Sequence, residues 1–247
     1  MGHLGELRRR ITYVAIAVVV CVIAAFIEKD WVFFVLLRPL NNTQVTELTT
    51  LGVTEAFMQV LKVSIYAGLI ISLPFILYQF WAFVMPALYE NEKRSVIPYV
   101  FFTTGLFLAG VAFAYFIVLP VGLRFMVGYG GEFFNQLLQA ERYINFVSMF
   151  LLAFGVVFEL PLIMMLMAWA GIVDHTRMRK VRKYAVLVMA VIAMVFTPSQ
   201  DPLSMALMLI PLLLLYEFGI WLARFAVRRR AKREELELLS QPSEVEG

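Results

Sequence analysis

The chain has 247 residues, of which 62% are hydrophobic and 16% are charged. A water-soluble domain carries about a quarter charged residues, so this composition excludes an ordinary soluble domain and indicates a protein embedded in lipid. The net charge of +3 is too small to suggest a nucleic-acid partner. One cysteine and two histidines give no basis for a disulfide framework or for a metal site.

Six apolar runs are candidates for transmembrane helices, because about 20 helical residues cross the hydrocarbon core of a bilayer. They are residues 11–27, 63–84, 97–120, 144–173, 184–196 and 203–222. The first run follows basic residues, as in a signal peptide, but no small-residue cleavage site precedes Glu28 and Asp30, so we predict a retained helix. The fifth run has 13 residues, which leaves a re-entrant segment open. The very short turn to the sixth run favours a hairpin of two short helices.

Lysine and arginine are distributed unevenly between the two sides that six spans would create. Sixteen of the 21 fall on the side that holds both termini and the second and fourth loops. Because cytoplasmic loops are enriched in lysine and arginine, this bias places both termini in the cytoplasm. We therefore predict an all-α polytopic membrane domain of six helices at residues 1–227. A charged, partly disordered cytoplasmic tail is expected at residues 228–247, in which residues 233–239 would extend a helix.

Aromatic residues mark two further regions of the chain. The longer loops on the other side, residues 28–59 and 121–143, are rich in aromatic and aliphatic residues and are expected to cap the bundle or to lie at the interface. Tyr78, Trp81 and Phe83 cluster at the inner end of the second run. An interfacial aromatic belt explains this cluster, and the wall of a groove for an apolar peptide is the functional alternative.

Glu159 lies near the middle of the fourth apolar run, where a carboxylate costs a few kcal/mol. It is interpreted as a docking point for another helix or as a site for a polar substrate group. A purely structural acid, held neutral or bonded within the bundle, is the alternative. Pro161 follows two residues later and is expected to loosen the helix at this point.

Acidic residues also occur on the side that is otherwise basic. Glu6 precedes Arg8 and Arg10 at the start of the chain, and Glu92 precedes Arg94 in the second loop. Ion pairs with the neighbouring arginines explain them, and a site for a cationic ligand explains them equally well. A guanidinium group would suit such a site, because its planar fork pairs bidentately with carboxylate. Elsewhere, Glu217 is expected to form an ion pair or an interface, and Asp201 to cap the last helix.

Several motifs resemble those of one known family. They are HLGELRRR at 3–10, TEAF at 54–57, LPFILYQFWAF at 73–83, PALYENEKR at 86–94, AFAYF at 112–116, FGVVFELP at 154–161 and TP at 197–198. In this order they resemble the TatC family, the multi-span component of the twin-arginine protein translocase. The resemblance covers essentially the whole chain.

The resemblance implies a receptor, not an enzyme, and no serine-hydrolase, Walker or zinc-protease motif is present in the sequence. It implies a concave six-helix bundle in a bacterial or archaeal cytoplasmic membrane, without a cofactor or a metal. The bundle would bind twin-arginine signal peptides of folded cargo, associate with itself and with single-span TatA- and TatB-type proteins, and use the proton-motive force. A small-solute or ion transporter with Glu159 as its midplane site is the alternative.

Site residues follow from the resemblance position by position. Glu6 and Glu92 match the acids that hold the arginine pair of the signal peptide, and Glu159 matches the acid that faces the single-span partners. The surrounding recognition residues would be Arg8, Arg10, Phe83 and Tyr89. The outer-loop proline would be Pro39, and further partner contacts would come from Asp201 and from Met205, which replaces a usual glutamine.

Overall fold

The computed structural model describes residues 2–42, 48–88, 96–128, 137–169, 171–173, 175–196 and 202–240, and these are almost entirely helical. In chain order the α-helices are α1 Gly2–Ile27, α2 Lys29–Leu37, α3 Glu55–Leu88, α4 Val96–Phe113, α5 Leu119–Gly128, α6 Ala140–Phe158, α7 Leu160–Trp169, α8 His175–Lys180, α9 Arg182–Phe196 and α10 Pro202–Ser240. A 3-10 segment, Arg38–Asn42, follows α2, and a π-helical segment, Ala114–Val118, joins α4 to α5. Two short strands, β1 Leu48–Thr49 and β2 Leu138–Gln139, complete the fold.

Five helical stretches of the described chain are long and apolar enough to cross a membrane. They are Gly5–Ile27, Glu55–Val84, Ile97–Gly128, Ala140–Ala168 and Met208–Phe225. The predicted class, an all-α polytopic membrane protein, is therefore confirmed. The fifth predicted run forms α9, which at 15 residues is shorter than a full crossing, so the count of six spans stays a prediction.

The last helix differs from the short helix that was expected. Its apolar part has 18 residues and is the shortest of the five stretches, but the helix itself has 39 residues and continues to Ser240. Residues after the apolar part are mostly alanine, arginine, glutamate and leucine, which are strong helix formers. The expected helical extension over 233–239 is confirmed. The boundary predicted between 227 and 228 falls inside α10, and the division into two domains stays a prediction.

Glycines allow two pairs of helices to approach closely. A Cβ atom at Gly68 in α3 would lie 2.6 Å from the Cα atom of Val22 in α1, so the two backbones are almost in contact. In the same way Gly155 of α6 accommodates the ring of Phe107 from α4. Small residues at helix interfaces are typical of membrane proteins, where close packing holds helices together.

Prolines interrupt two of the long helical stretches. Pro161 separates α6 from α7, and the amide of Glu159 bonds to the carbonyl of Val156, three residues back, as in a 3-10 turn. The expected loosening at Pro161 is thus confirmed. Pro120 follows the π-helical segment, in which the amide of Leu119 bonds to the carbonyl of Ala114. Both interruptions follow from the missing amide hydrogen of proline.

Residues of the two long loops pack at one end of the bundle. Strands β1 and β2 pair in parallel, with Leu48 opposite Leu138. Lys62 of α3 forms an ion pair of 2.8 Å with Glu141 of α6. The hydroxyl of Tyr143 donates to the carbonyl of Leu36 over 2.8 Å, and both residues are buried. The expectation that the loops cap the bundle is confirmed for these described parts.

We expect Tyr143→Phe to lower the free energy of unfolding by about 1 kcal/mol, because the buried carbonyl of Leu36 would lose its donor. Equilibrium unfolding in detergent measures this change. Tyr13→Phe is the matched control, since Tyr13 is exposed and its hydroxyl makes no hydrogen bond within the described residues. Equal stability of the two variants would contradict the prediction.

Candidate functional site

A polar cluster joins the beginning of α1 to the last turns of α3. Within α1, Nη2 of Arg10 lies 2.6 Å from Oε1 of Glu6, and Nε donates to the same oxygen over 3.0 Å. Nη1 of Arg10 donates to Oε1 of Gln79 in α3 over 3.1 Å. Gln79 is buried, whereas Glu6 retains a third of its side-chain exposure. The cluster therefore holds the Glu6 carboxylate in a defined position at a partly exposed site.

Aromatic side chains continue from this cluster along α3. Trp81 is 5% exposed and packs against Leu162 and Leu166 of α7. Its ring lies 5.2 Å from the ring of Phe80 and 6.1 Å from that of Tyr99 in α4. The indole Nε1–H of Trp81 has no hydrogen-bond partner among the described residues. An apolar and aromatic cluster thus occupies the same turns of α3 as Gln79, at the same end of the bundle as Glu6.

The structure brings together some of the predicted recognition residues. Glu6 and Arg10 are in direct contact, so the expected local ion pair is present. Arg8 is exposed, and Phe83 is half-buried in the same turns of α3. Glu92 and Tyr89 lie outside the described residues, so the proximity of the two acids stays a prediction. Sequence reasoning missed Gln79, whose signal was a lone amide in an otherwise apolar and aromatic run.

Glu159 lies at the break between α6 and α7 and is only 8% exposed. Its Oε1 atom is buried without a hydrogen-bond partner among the described residues. A buried polar atom without a partner costs about 1–3 kcal/mol, and a structural acid would be expected to have a bonding partner inside the fold. This geometry argues against an acid that is bonded within the described part of the bundle, and the docking interpretation of Glu159 stays a prediction.

The remaining predicted site residues lie in three other places. Met205, in the first turns of α10, packs against the main buried cluster. Asp201 lies outside the described residues. Pro39 is buried in the 3-10 segment after α2, at the end of the bundle opposite to Glu6. Glu217 forms an ion pair of 2.6 Å with Arg182, as expected, but both are about half exposed, so the pair adds less than about 1 kcal/mol.

The apolar helices, with a partly exposed carboxylate at one end and another buried at a helix break, define a polytopic α-helical membrane protein. The model of one family, the Sec-independent protein translocase protein (TatC), matches residues 2–211. The chain belongs to the TatC family. Because the chain belongs to this family, its function is protein translocation and not the alternative, small-solute or ion transport.

Relatives and solved structures agree with this assignment. The chain is 41% identical over 234 residues to the TatC protein of Aquifex aeolicus, covering 92% of this chain and 95% of that protein. It is 35% identical over 235 residues to TatC of Escherichia coli K12, covering 94% and 91%. A crystal structure described as the twin arginine translocase receptor TatC matches with a TM-score of 0.83 and 40% identity, covering 91% of this chain and 99% of that one.

Proposed function

We propose that the chain is a receptor for twin-arginine signal peptides and the assembly core of a translocase for folded proteins. The observation that carries the proposal is the partly exposed Glu6 carboxylate, which is paired with Arg10, while Arg10 is bonded in turn to Gln79 of α3. A planar guanidinium of the peptide would pair with this carboxylate, and Glu92 would supply the acceptor for the second arginine. The apolar part of the peptide would lie along the aromatic turns of α3.

Preorganisation explains why a site of this kind would discriminate arginine from lysine. Gln79 anchors Arg10, and Arg10 fixes the orientation of the Glu6 carboxylate before the peptide arrives. An arginine fork can match two oxygens of a fixed carboxylate, whereas the compact ammonium of lysine is a point charge. Arg8 and Phe83, with Tyr89, would form the remaining recognition surface.

Glu6→Gln is expected to weaken binding of a twin-arginine peptide about tenfold or more, because a charge-assisted hydrogen bond contributes about 1.5–3 kcal/mol. A twin-lysine peptide should bind both proteins weakly, so the variant should lose most of the discrimination. Isothermal titration calorimetry with both peptides measures the two effects. Glu28→Gln is the control, because Glu28 is an exposed acid at the other end of α1. Unchanged discrimination in Glu6→Gln and in Glu92→Gln would refute the site.

The buried carboxylate of Glu159 supports a second part of the proposal. Its unpartnered oxygen would accept a hydrogen bond from a polar side chain of a TatA- or TatB-type single-span protein. Asp201 and Met205 would contribute further contacts with such partners. In this proposal the chain lies in the cytoplasmic membrane with both termini inside, and its copies associate in the receptor complex.

A further inference from the structure

Two cavities meet at the end of the bundle opposite to Glu6. The first, of about 490 Å³, is lined by Arg38 and Arg124 together with Tyr115 and Phe116. The second, of about 390 Å³, begins at the same two aromatic side chains and runs between α2, α3 and α4 with almost entirely apolar walls. The two cavities share Tyr115 and Phe116 as lining residues, and we call the pair of cavities the arginine groove. It has a basic end and an apolar end.

The charge at the basic end is not explained by membrane topology. Sixteen of the 21 lysine and arginine residues are assigned to the side that holds the termini, and only five to the opposite side and its span edges. Two of these five line one cavity. Arg38 and Arg124 are exposed, and neither forms an ion pair with an acid within the described ranges. Guanidinium forks match the oxygens of phosphate. Within the part of the chain that the structure describes, the residues that line this cavity include two arginines and no acid, which suits an anion better than an ammonium group.

Local backbone geometry positions the two aromatic side chains that both cavities share. Tyr115 and Phe116 belong to the π-helical segment, and short π-helical segments are frequent at functional sites. The hydroxyl of Tyr115 donates to the carbonyl of Val35 in α2 over 2.6 Å. This bond fixes the ring against α2, so that the ring forms a wall of the groove.

We propose that the arginine groove binds an anionic glycerophospholipid. The phosphate lies between Arg38 and Arg124, and one acyl chain follows the apolar walls beyond Phe116. A free phosphate would satisfy the arginines but would leave the apolar part without an occupant, and water gains no hydrogen bonds from such walls. Basic pockets between transmembrane helices suit anionic headgroups. The site does not depend on signal-peptide binding, because it lies at the other end of the bundle.

Native mass spectrometry tests the headgroup contact. The purified chain is incubated in detergent with equal amounts of phosphatidylglycerol and phosphatidylethanolamine that carry the same acyl chains. We expect retained phosphatidylglycerol to fall on the order of tenfold in the double variant Arg38→Gln and Arg124→Gln. Arg142→Gln should behave as the wild type, because Arg142 is exposed in the same region but does not line the groove. Equal retention by the wild type and the double variant overturns the proposal.

A second pair of variants tests the acyl-chain contact without changing charge. Ala112→Trp fills the apolar part and should release the lipid, whereas Ala109→Trp, at an exposed position of α4 outside the groove, should not. Retention of the lipid by Ala112→Trp, or its displacement by millimolar inorganic phosphate, would reduce the groove to a simple anion site and overturn the proposal. A photo-crosslinker at Phe116 should capture lipid. Capture of a peptide or a protein helix in its place also overturns the lipid assignment.

Discussion

Gly68→Leu is expected to separate α1 from α3 and to lower the free energy of unfolding by about 3 kcal/mol or more. A side chain at this position meets the backbone of Val22, at 2.6 Å from Cα and 2.7 Å from N, and backbone atoms cannot rotate away. Overpacking of this kind costs about 1–3 kcal/mol and occasionally more. Only 6% of the α1 span is buried in the fold, so few other contacts hold the helix.

Separation of α1 from α3 should also disrupt the polar cluster of Glu6, Arg10 and Gln79. Arg10 bonds to Gln79 only while the two helices lie side by side, so Gly68→Leu should weaken signal-peptide binding together with stability. Unfolding in detergent and peptide titration on the same preparation measure both effects. Gly105→Leu is the control, because a Cβ atom there meets nothing within 4 Å. Helix propensity alone favours leucine at both positions, so equal stability of the two variants would rule out the close contact as the cause.

Glu159→Leu is expected to stabilise the isolated chain by about 2 kcal/mol and at the same time to abolish association with a single-span partner. Leucine removes a buried carboxylate oxygen that has no partner in the described fold, and it is far better tolerated than an acid in the middle of a membrane helix. The partner would lose the acceptor that we propose it uses. Equilibrium unfolding and co-purification with the partner measure the two opposite changes.

Glu141→Leu provides the comparison for Glu159→Leu. Glu141 is an acid of the same helical stretch, but it is paired with Lys62, so its loss should lower stability slightly and leave the partner bound. Peptide binding should be unchanged in both variants. If Glu159→Leu lost peptide and partner binding equally, a folding defect and not a lost contact would be the explanation.

The membrane class and most helices could be predicted from the sequence, because apolar length is a local property of the chain. Glu6 and Arg10 precede the first predicted helix, and an ion pair with a neighbouring arginine was one of two interpretations of Glu6. The structure places both residues in one turn of α1, where positions four apart are neighbours. The break between α6 and α7 was predictable from Pro161 alone, because proline lacks the amide hydrogen that a helix needs. Hydropathy shows where the lipid-crossing stretch ends and not where the helix ends. It therefore does not predict the full length of α10.

Contacts between distant parts of the chain could not be predicted in this way. Arg10 and Gln79 are 69 positions apart, and Lys62 and Glu141 are 79 apart. Which face of α3 meets α1 depends on the packing of Gly68 against Val22, which a hydropathy pattern does not encode. The arginine groove likewise requires the 3-10 segment after α2 to meet the π-helical segment before α5.

The length of α10 has a consequence for the space beside the receptor surface. A helix rises about 1.5 Å per residue, so the part beyond Phe225 extends the backbone about 22 Å past the apolar stretch. The hydroxyl of Tyr216 donates to the carbonyl of Met178, and the Trp81 cluster joins the end of α7 to the end of α3, so this extension leaves the bundle at the same end as Glu6. In the proposed function, a folded passenger domain attached to a bound peptide would therefore meet this helix on one side, and its approach would be restricted to the remaining directions.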